Sequence, residues 1–207
     1  MTLFSSSIGK KLGMAVTGLL LFGFLLGHLS GNLLLLRGDG GAAFNAYSDF
    51  LVQHPLLIPV EFILLGIFLL HVVLAISVAR DNRRARPIGY RVSAAVGGRS
   101  VASRTMIYSG LITLIFVVVH LKTFKYADHA GGSLYGLVTT TFGNEFYVGG
   151  YVVAMVLLGF HLWHAFQSAF QTMGLQARIK LRRFSIGLCV LIAGGFAMIP
   201  LVIYFGR

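Results

Sequence analysis

Five stretches of the chain, residues 12–36, 56–79, 105–126, 147–170 and 184–205, together hold only three charged side chains, Glu61, Lys122 and Lys125. Each is long enough to cross a bilayer as a helix, which takes about 20 mostly apolar residues. In water such runs would have to share one core, and the chain lacks the polar residues to coat it. Charged residues make up 11% of the sequence, against roughly 25% in soluble domains. Disorder is excluded as well, because disordered chains are poor in aromatics and this one has 17 Phe and 8 Tyr. The single cysteine, Cys189, cannot build a disulfide scaffold and reads as a small packing residue. The expected fold is therefore an all-α integral membrane protein of five transmembrane helices, one domain over residues 1–207. Lys10 and Lys11 precede the first apolar run as in a signal peptide, but the run is too long and no small-x-small site closes it. It reads as a span.

Charge predicts the orientation. With the N-terminus on the cytoplasmic side, that side collects Lys10, Lys11, the seven arginines between residues 80 and 104, and Arg178, Lys180, Arg182 and Arg183. Arg37, Lys122, Lys125 and Arg207 remain outside, with Asp39, Asp49, Asp128 and Glu145. Basic loops stay on the cytoplasmic face, so the C-terminus is expected outside. The net charge of +11 is thus explained by topology, with attraction to anionic lipid or an acidic partner as a second role. Nucleic acid is not an expected partner, since the basic residues sit in short loops. The outer segment 42–54 spaces Phe44, Tyr47, Phe50 and Leu51 as on a helix lying along the interface. The second outer loop, 127–146, is rich in Gly and Thr, and no tandem repeat is apparent.

Seven histidines are present, five of them within spans: His28, His71, His120, His161 and His164. An ionisable residue inside a bilayer is a functional-site hypothesis by default. At 1.5 Å per residue, His28 and His120 lie about 22–24 Å from the inner starts of their spans, while His71 and His161 lie about 21–23 Å from the outer starts of theirs. In a layer about 30 Å thick this predicts an outer pair, His28 with His120, and an inner pair, His71 with His161. The two levels are separated by roughly 14–16 Å. Two facing neutral imidazoles can bind a porphyrin iron from both sides, and helix bundles hold cofactors between facing helices. Absence of C-x-x-C-H makes the expected cofactor two non-covalent haem b groups. Structural zinc is disfavoured, with no H-E-x-x-H and no Cys/His cluster. A lone intramembrane histidine is more often a hydrogen-bonding residue between helices; four in two matched levels are not explained that way.

The inner ligand on the fourth span is either His161 or His164, which share a helix face; His161 better matches the depth of His71. Gly31, Ala75 and Ala165, each one turn after a histidine, would let a flat ring approach, and Gly23, Gly27 and Gly31 read first as a packing stripe. Asn32, one turn after His28, bonds either a haem edge or a neighbouring helix. Glu61 is the only acid inside a span; it is a candidate proton-exchanging quinone site, or equally an interfacial carboxylate in water. His54 and His129 fall in outer loops and are expected to be solvent-exposed.

The segments SSSIGKKLGMAVTGLLLFGFLLGHLSGNL, FNAYSDFLVQHPLL, SRTMIYSGLITLIFVVVHLKTF and GFHLWHAFQSAFQTMGL together resemble the di-haem cytochrome b membrane anchor of bacterial succinate dehydrogenase and fumarate reductase. The resemblance runs in order over nearly the whole chain. It implies five membrane helices, four of them bundled around two stacked haems, with His28 and His120 as axial ligands of the outer haem and His71 and His161 of the inner. Within GFHLWHAFQSAF the ligand corresponds to His161, and His164 keeps an open role, with a contact to a haem edge among the candidates. The resemblance further implies an anchor subunit of respiratory complex II without a dehydrogenase site of its own. Its partners would be an iron–sulfur subunit and an FAD flavoprotein that interconverts succinate and fumarate on the cytoplasmic side. Electrons would pass through the inner and then the outer haem to a quinone, in di-haem members generally menaquinone. Three other readings stand beside it: the di-haem anchor of another quinone-linked dehydrogenase (a hydrogenase or formate dehydrogenase), a haem-free proton-coupled transporter, and a purely structural anchor.

Overall fold

A computed structural model describes residues 6–85, 101–127, 132–174 and 179–206 of the chain. Every regular element among the described residues is helical. Helix α1 (Ser7–Asn32) runs into a 3-10 turn, Leu33–Leu36, and is followed by α2 (Ala42–Gln53) and α3 (Leu57–Arg84). Helix α4 (Val101–His120) runs into a π-helical turn, Leu121–Lys125, followed by α5 (Leu134–Thr141), α6 (Glu145–Thr172) and α7 (Ile179–Phe205). Five segments are long and apolar enough to span a membrane: Ser7–Leu36, Leu57–Arg84, Met106–Lys125, Glu145–Thr172 and Arg182–Phe205. They coincide with the five stretches read from sequence, and the chain is a multi-pass membrane protein.

The helices outrun the apolar runs for local reasons. Ser6 caps α1, its Oγ accepting from the Gly9 N–H at 3.0 Å, so the helix starts before the hydrophobic stretch and carries Lys10 and Lys11 in its first turns. Helix α3 continues through Arg80–Arg84 because no breaker occurs before Pro87. The extension is used: Lys10 Nζ meets Asp81 Oδ2 at 2.7 Å, joining the basic ends of α1 and α3, called inner after the orientation that charge predicts. Asn144 caps α6 through its Oδ1, which accepts from the Phe146 N–H at 2.9 Å.

Helix α1 packs against α3 and α6, α4 packs against α6, and α7 covers α6 and α1. Among the described residues neither α1 with α4 nor α3 with α6 forms a packed pair. The core lies on the α1–α6–α7 side, around Phe22, Leu29, Leu158, Leu162, Phe166, Ile192 and Ile199. Lipid is as apolar as these side chains, so close fit rather than water exclusion holds them together. A Cβ placed on Gly159 would meet Ala193 at 3.0 Å, and one on Gly195 would meet Leu29 at 2.9 Å. Small residues there set the approach of α7.

Two sequence expectations are corrected. The outer loop 127–146 contains helix α5, capped by Ser133, whose Oγ accepts from the Gly136 N–H at 3.1 Å. There is also an internal repeat. Helix, distorted turn, short outer helix and long returning helix occur once as α1–α2–α3 and again as α4–α5–α6. Residues 14–29 and 106–121 share the pattern M-x-x-[ST]-G-L-x4-F-x3-H-L. The two units begin on the same side, so their relating axis runs along the membrane normal. The short helices meet at the outer face, where Asn45 Oδ1 of α2 accepts from the Tyr135 N–H of α5 at 3.1 Å. There the Tyr135 ring covers Gly41, whose φ of +89° lies in the left-handed region that glycine tolerates.

Candidate functional site

The four candidate histidines stand on the four bundled helices, one on each, at equivalent positions of the two repeats. His28 of α1 corresponds to His120 of α4, and His71 of α3 to His161 of α6. The rings of His28 and His120 lie 5.8 Å apart, centroid to centroid, with planes at 86°. Phe24 stacks on His28 at 5.3 Å and Phe116 on His120 at 5.7 Å, the same partner one turn before each histidine. At the inner level, His71 stands on α3 and His161 on α6.

Each inner ring is held by a hydroxyl from the neighbouring helix of its own repeat. His71 Nδ1 lies 3.0 Å from Thr17 Oγ1 of α1, and His161 Nδ1 lies 3.3 Å from Ser109 Oγ of α4. The glycine after each hydroxyl admits the ring. A Cβ on Gly18 would stand 3.2 Å from His71 Cε1, and one on Gly110 would stand 3.2 Å from His161 Cε1. Thr17 precedes His28 by eleven residues and Ser109 precedes His120 by the same number. Eleven residues are close to three helical turns and about 16 Å of rise. One helix face thus carries an outer histidine and, one level deeper, the support of an inner one. Sequence reasoning misses these four residues, although the repeated motif carries them.

The outer level is supported differently. His120 Nδ1 lies 3.3 Å from the Tyr151 hydroxyl of α6. The Asn32 amide donates to the His28 carbonyl at 2.8 Å and sits 3.4 Å from its ring Nδ1; it serves the turn of its own helix. Gly31 does not admit a cofactor: a Cβ there would meet the Tyr47 ring of α2 at 2.5 Å. Gly23 and Gly27 have nothing within 4 Å of a would-be Cβ, so they form no packing stripe among the described residues. Glu61 pairs with Lys125, linking the outer end of α3 to the π-helical turn after His120. His164 is half-buried one turn inward of His161. His54 is exposed, and its Nδ1 accepts from the Leu56 N–H at 3.2 Å. His129 and the basic segment 86–100 lie outside the described residues.

No three His, Cys, Asp or Glu side chains converge among the described residues, so a cage of protein ligands alone is not built there. Two imidazoles per level are the axial set a porphyrin iron takes. An outer orienting group on the non-ligating nitrogen is the usual companion of a metal-bound histidine, and Thr17 and Ser109 provide it. The donor set fits haem at both levels. No family model, no curated protein and no solved structure matches the chain.

Proposed function

We propose that this chain is the membrane anchor and electron-transfer subunit of a bacterial succinate:quinone oxidoreductase, seated in the cytoplasmic membrane with its N-terminus inside. It would hold one haem b between His28 and His120 and another between His71 and His161. The observation that carries the reading is the approach of the His28 and His120 rings, together with inner histidines on corresponding helices of the two repeats, each backed by a hydroxyl on Nδ1.

Bound haem supplies the one-electron redox chemistry that imidazole and lipid lack. The chain's own groups do the rest. The four imidazoles bind and orient, Phe24 and Phe116 fix the planes of the outer rings, and the apolar helix surfaces exclude water from the path between the levels. The basic inner ends of α1 and α3, with Lys11, Arg83 and Arg84, offer a cationic surface to an iron–sulfur subunit and, beyond it, an FAD flavoprotein. At the outer end of α3, Glu61, paired with Lys125 of the turn after His120, would exchange protons with a quinone, by resemblance menaquinone.

An absorption spectrum of the purified chain, oxidised and dithionite-reduced, tests the cofactor claim. Two b-type haems per chain are expected. A colourless preparation fails it and leaves a transporter or a structural anchor. Co-purification with a flavoprotein carrying succinate dehydrogenase activity separates this reading from the anchor of a hydrogenase or formate dehydrogenase.

A further inference from the structure

We propose that Thr17 and Ser109 are positioning residues that fix His71 and His161 in the Nδ1–H tautomer, so that each presents only Nε2 as a lone pair, and that they thereby set the inner haem apart from the outer. The inference rests on the haem reading above only for its second half; the tautomer belongs to the chain alone.

A hydroxyl has one proton to give. Thr17 Oγ1 lies 2.8 Å from the Gly13 carbonyl and 3.1 Å from the Met14 carbonyl. Ser109 Oγ lies 3.0 Å from the Met106 carbonyl. Carbonyls only accept, so each hydroxyl proton is committed to its own helix and the oxygen is left to accept from the ring. With Nδ1 protonated, neutral imidazole has its lone pair at Nε2.

The same three-part device, carbonyl, hydroxyl and imidazole, occurs in both repeats and, among the described residues, at the inner level. At the outer level the group beside His120 is the Tyr151 phenol, which can donate as readily as accept. An acceptor on Nδ1–H raises the basicity of the ligating nitrogen, which favours the oxidised iron of whatever haem the ring holds. Removing the acceptor therefore makes that haem easier to reduce.

The test uses the full chain with Thr17→Val and Ser109→Ala, and the hydroxyl-retaining Thr17→Ser and Ser109→Thr. In haem-free protein, 15N chemical shifts of His71 and His161 are expected to report the Nδ1–H form. That form is lost at the partnered histidine in Thr17→Val or Ser109→Ala and kept in the hydroxyl-retaining variants. In haem-loaded protein, a potentiometric titration is expected to show the inner haem shifted upward. The change is roughly tenfold in its oxidised-to-reduced ratio, about 59 mV for a one-electron couple, with the outer haem unmoved and the hydroxyl variants restored. Nε2–H shifts in the wild-type chain overturn the proposal without any variant having to fold. So does an unchanged inner potential in Thr17→Val, or equal movement of both haems. A wild-type chain that shows the Nδ1–H signature yet takes up no haem instead fails the haem reading and spares the tautomer.

Discussion

The inner and outer histidine pairs are built by the same two repeats yet secured by different means. Inside, Thr17–Gly18 and Ser109–Gly110 treat His71 and His161 alike, with one hydroxyl and one glycine for each ring. Outside, the repeats have diverged. Tyr151 reaches His120, whereas its counterpart ten residues before His71 is Glu61, which turns away to Lys125. The symmetric half has the character of a fixed binding site. The asymmetric half is where one face of the bundle differs from the other, and under the proposed function it is the half that meets the quinone.

Removing a ligand should have the largest effect. Under the proposed function, His71→Ala or His161→Ala abolishes the inner haem and leaves the outer one at least in part, so haem per chain falls from two toward one in a pyridine haemochrome assay. His28→Ala or His120→Ala should do the reverse. Loss of neither haem in any of the four variants would remove the assignment.

Next come the glycines that distinguish the inner level. A Cβ on Gly110 already meets His161 at 3.2 Å, and the two further methyls of Gly110→Val must push the ring off its hydroxyl. Displacing a group that orients a metal-bound histidine costs about 10–100-fold in affinity. Inner haem occupancy should drop accordingly in a haem titration, as it should for Gly18→Val. Gly23→Val, where no atom stands within 4 Å, is the control and should bind both haems normally. Equal loss in all three would mean general misfolding and erase the claimed contrast.

The five spans were legible in the sequence, because apolar runs of that length report directly on a bilayer. Histidine depth predicted an outer pair of His28 with His120, and those rings do meet, 5.8 Å apart. The second layer of the site was less visible. Thr17 and Ser109 look like ordinary small polar residues in a span, and only their identical spacing to His28 and His120 marks them. The repeat that carries them is spread over 92 residues and interrupted by differently built outer segments, which is why the eye passes over it. Gly31 misled for a related reason: its neighbour in sequence is a candidate ligand, but its neighbour in space is Tyr47. Spacing along one helix reports which face a residue occupies, not which element covers that face. Gly31→Ala is accordingly expected to act on the α1–α2 contact, at an overpacking cost of about 1–3 kcal/mol. A thermal melt should detect that loss while the ratio of haems stays unchanged.

The smallest stability effect, and the sharpest probe of the outer asymmetry, lies at Glu61 and Lys125. A half-exposed ion pair contributes about 0–1 kcal/mol, so neither Glu61→Gln nor Lys125→Met should move the melting temperature much. The two variants differ in chemistry, since both break the pair but only Glu61→Gln removes the carboxyl. If that carboxyl exchanges protons with quinone, Glu61→Gln slows quinone-linked turnover in the assembled complex while both haems remain reducible by dithionite, and Lys125→Met stays close to wild type. Equal slowing in both would assign the effect to the link between α3 and the π-helical turn, and the outer level would then differ from the inner in architecture alone.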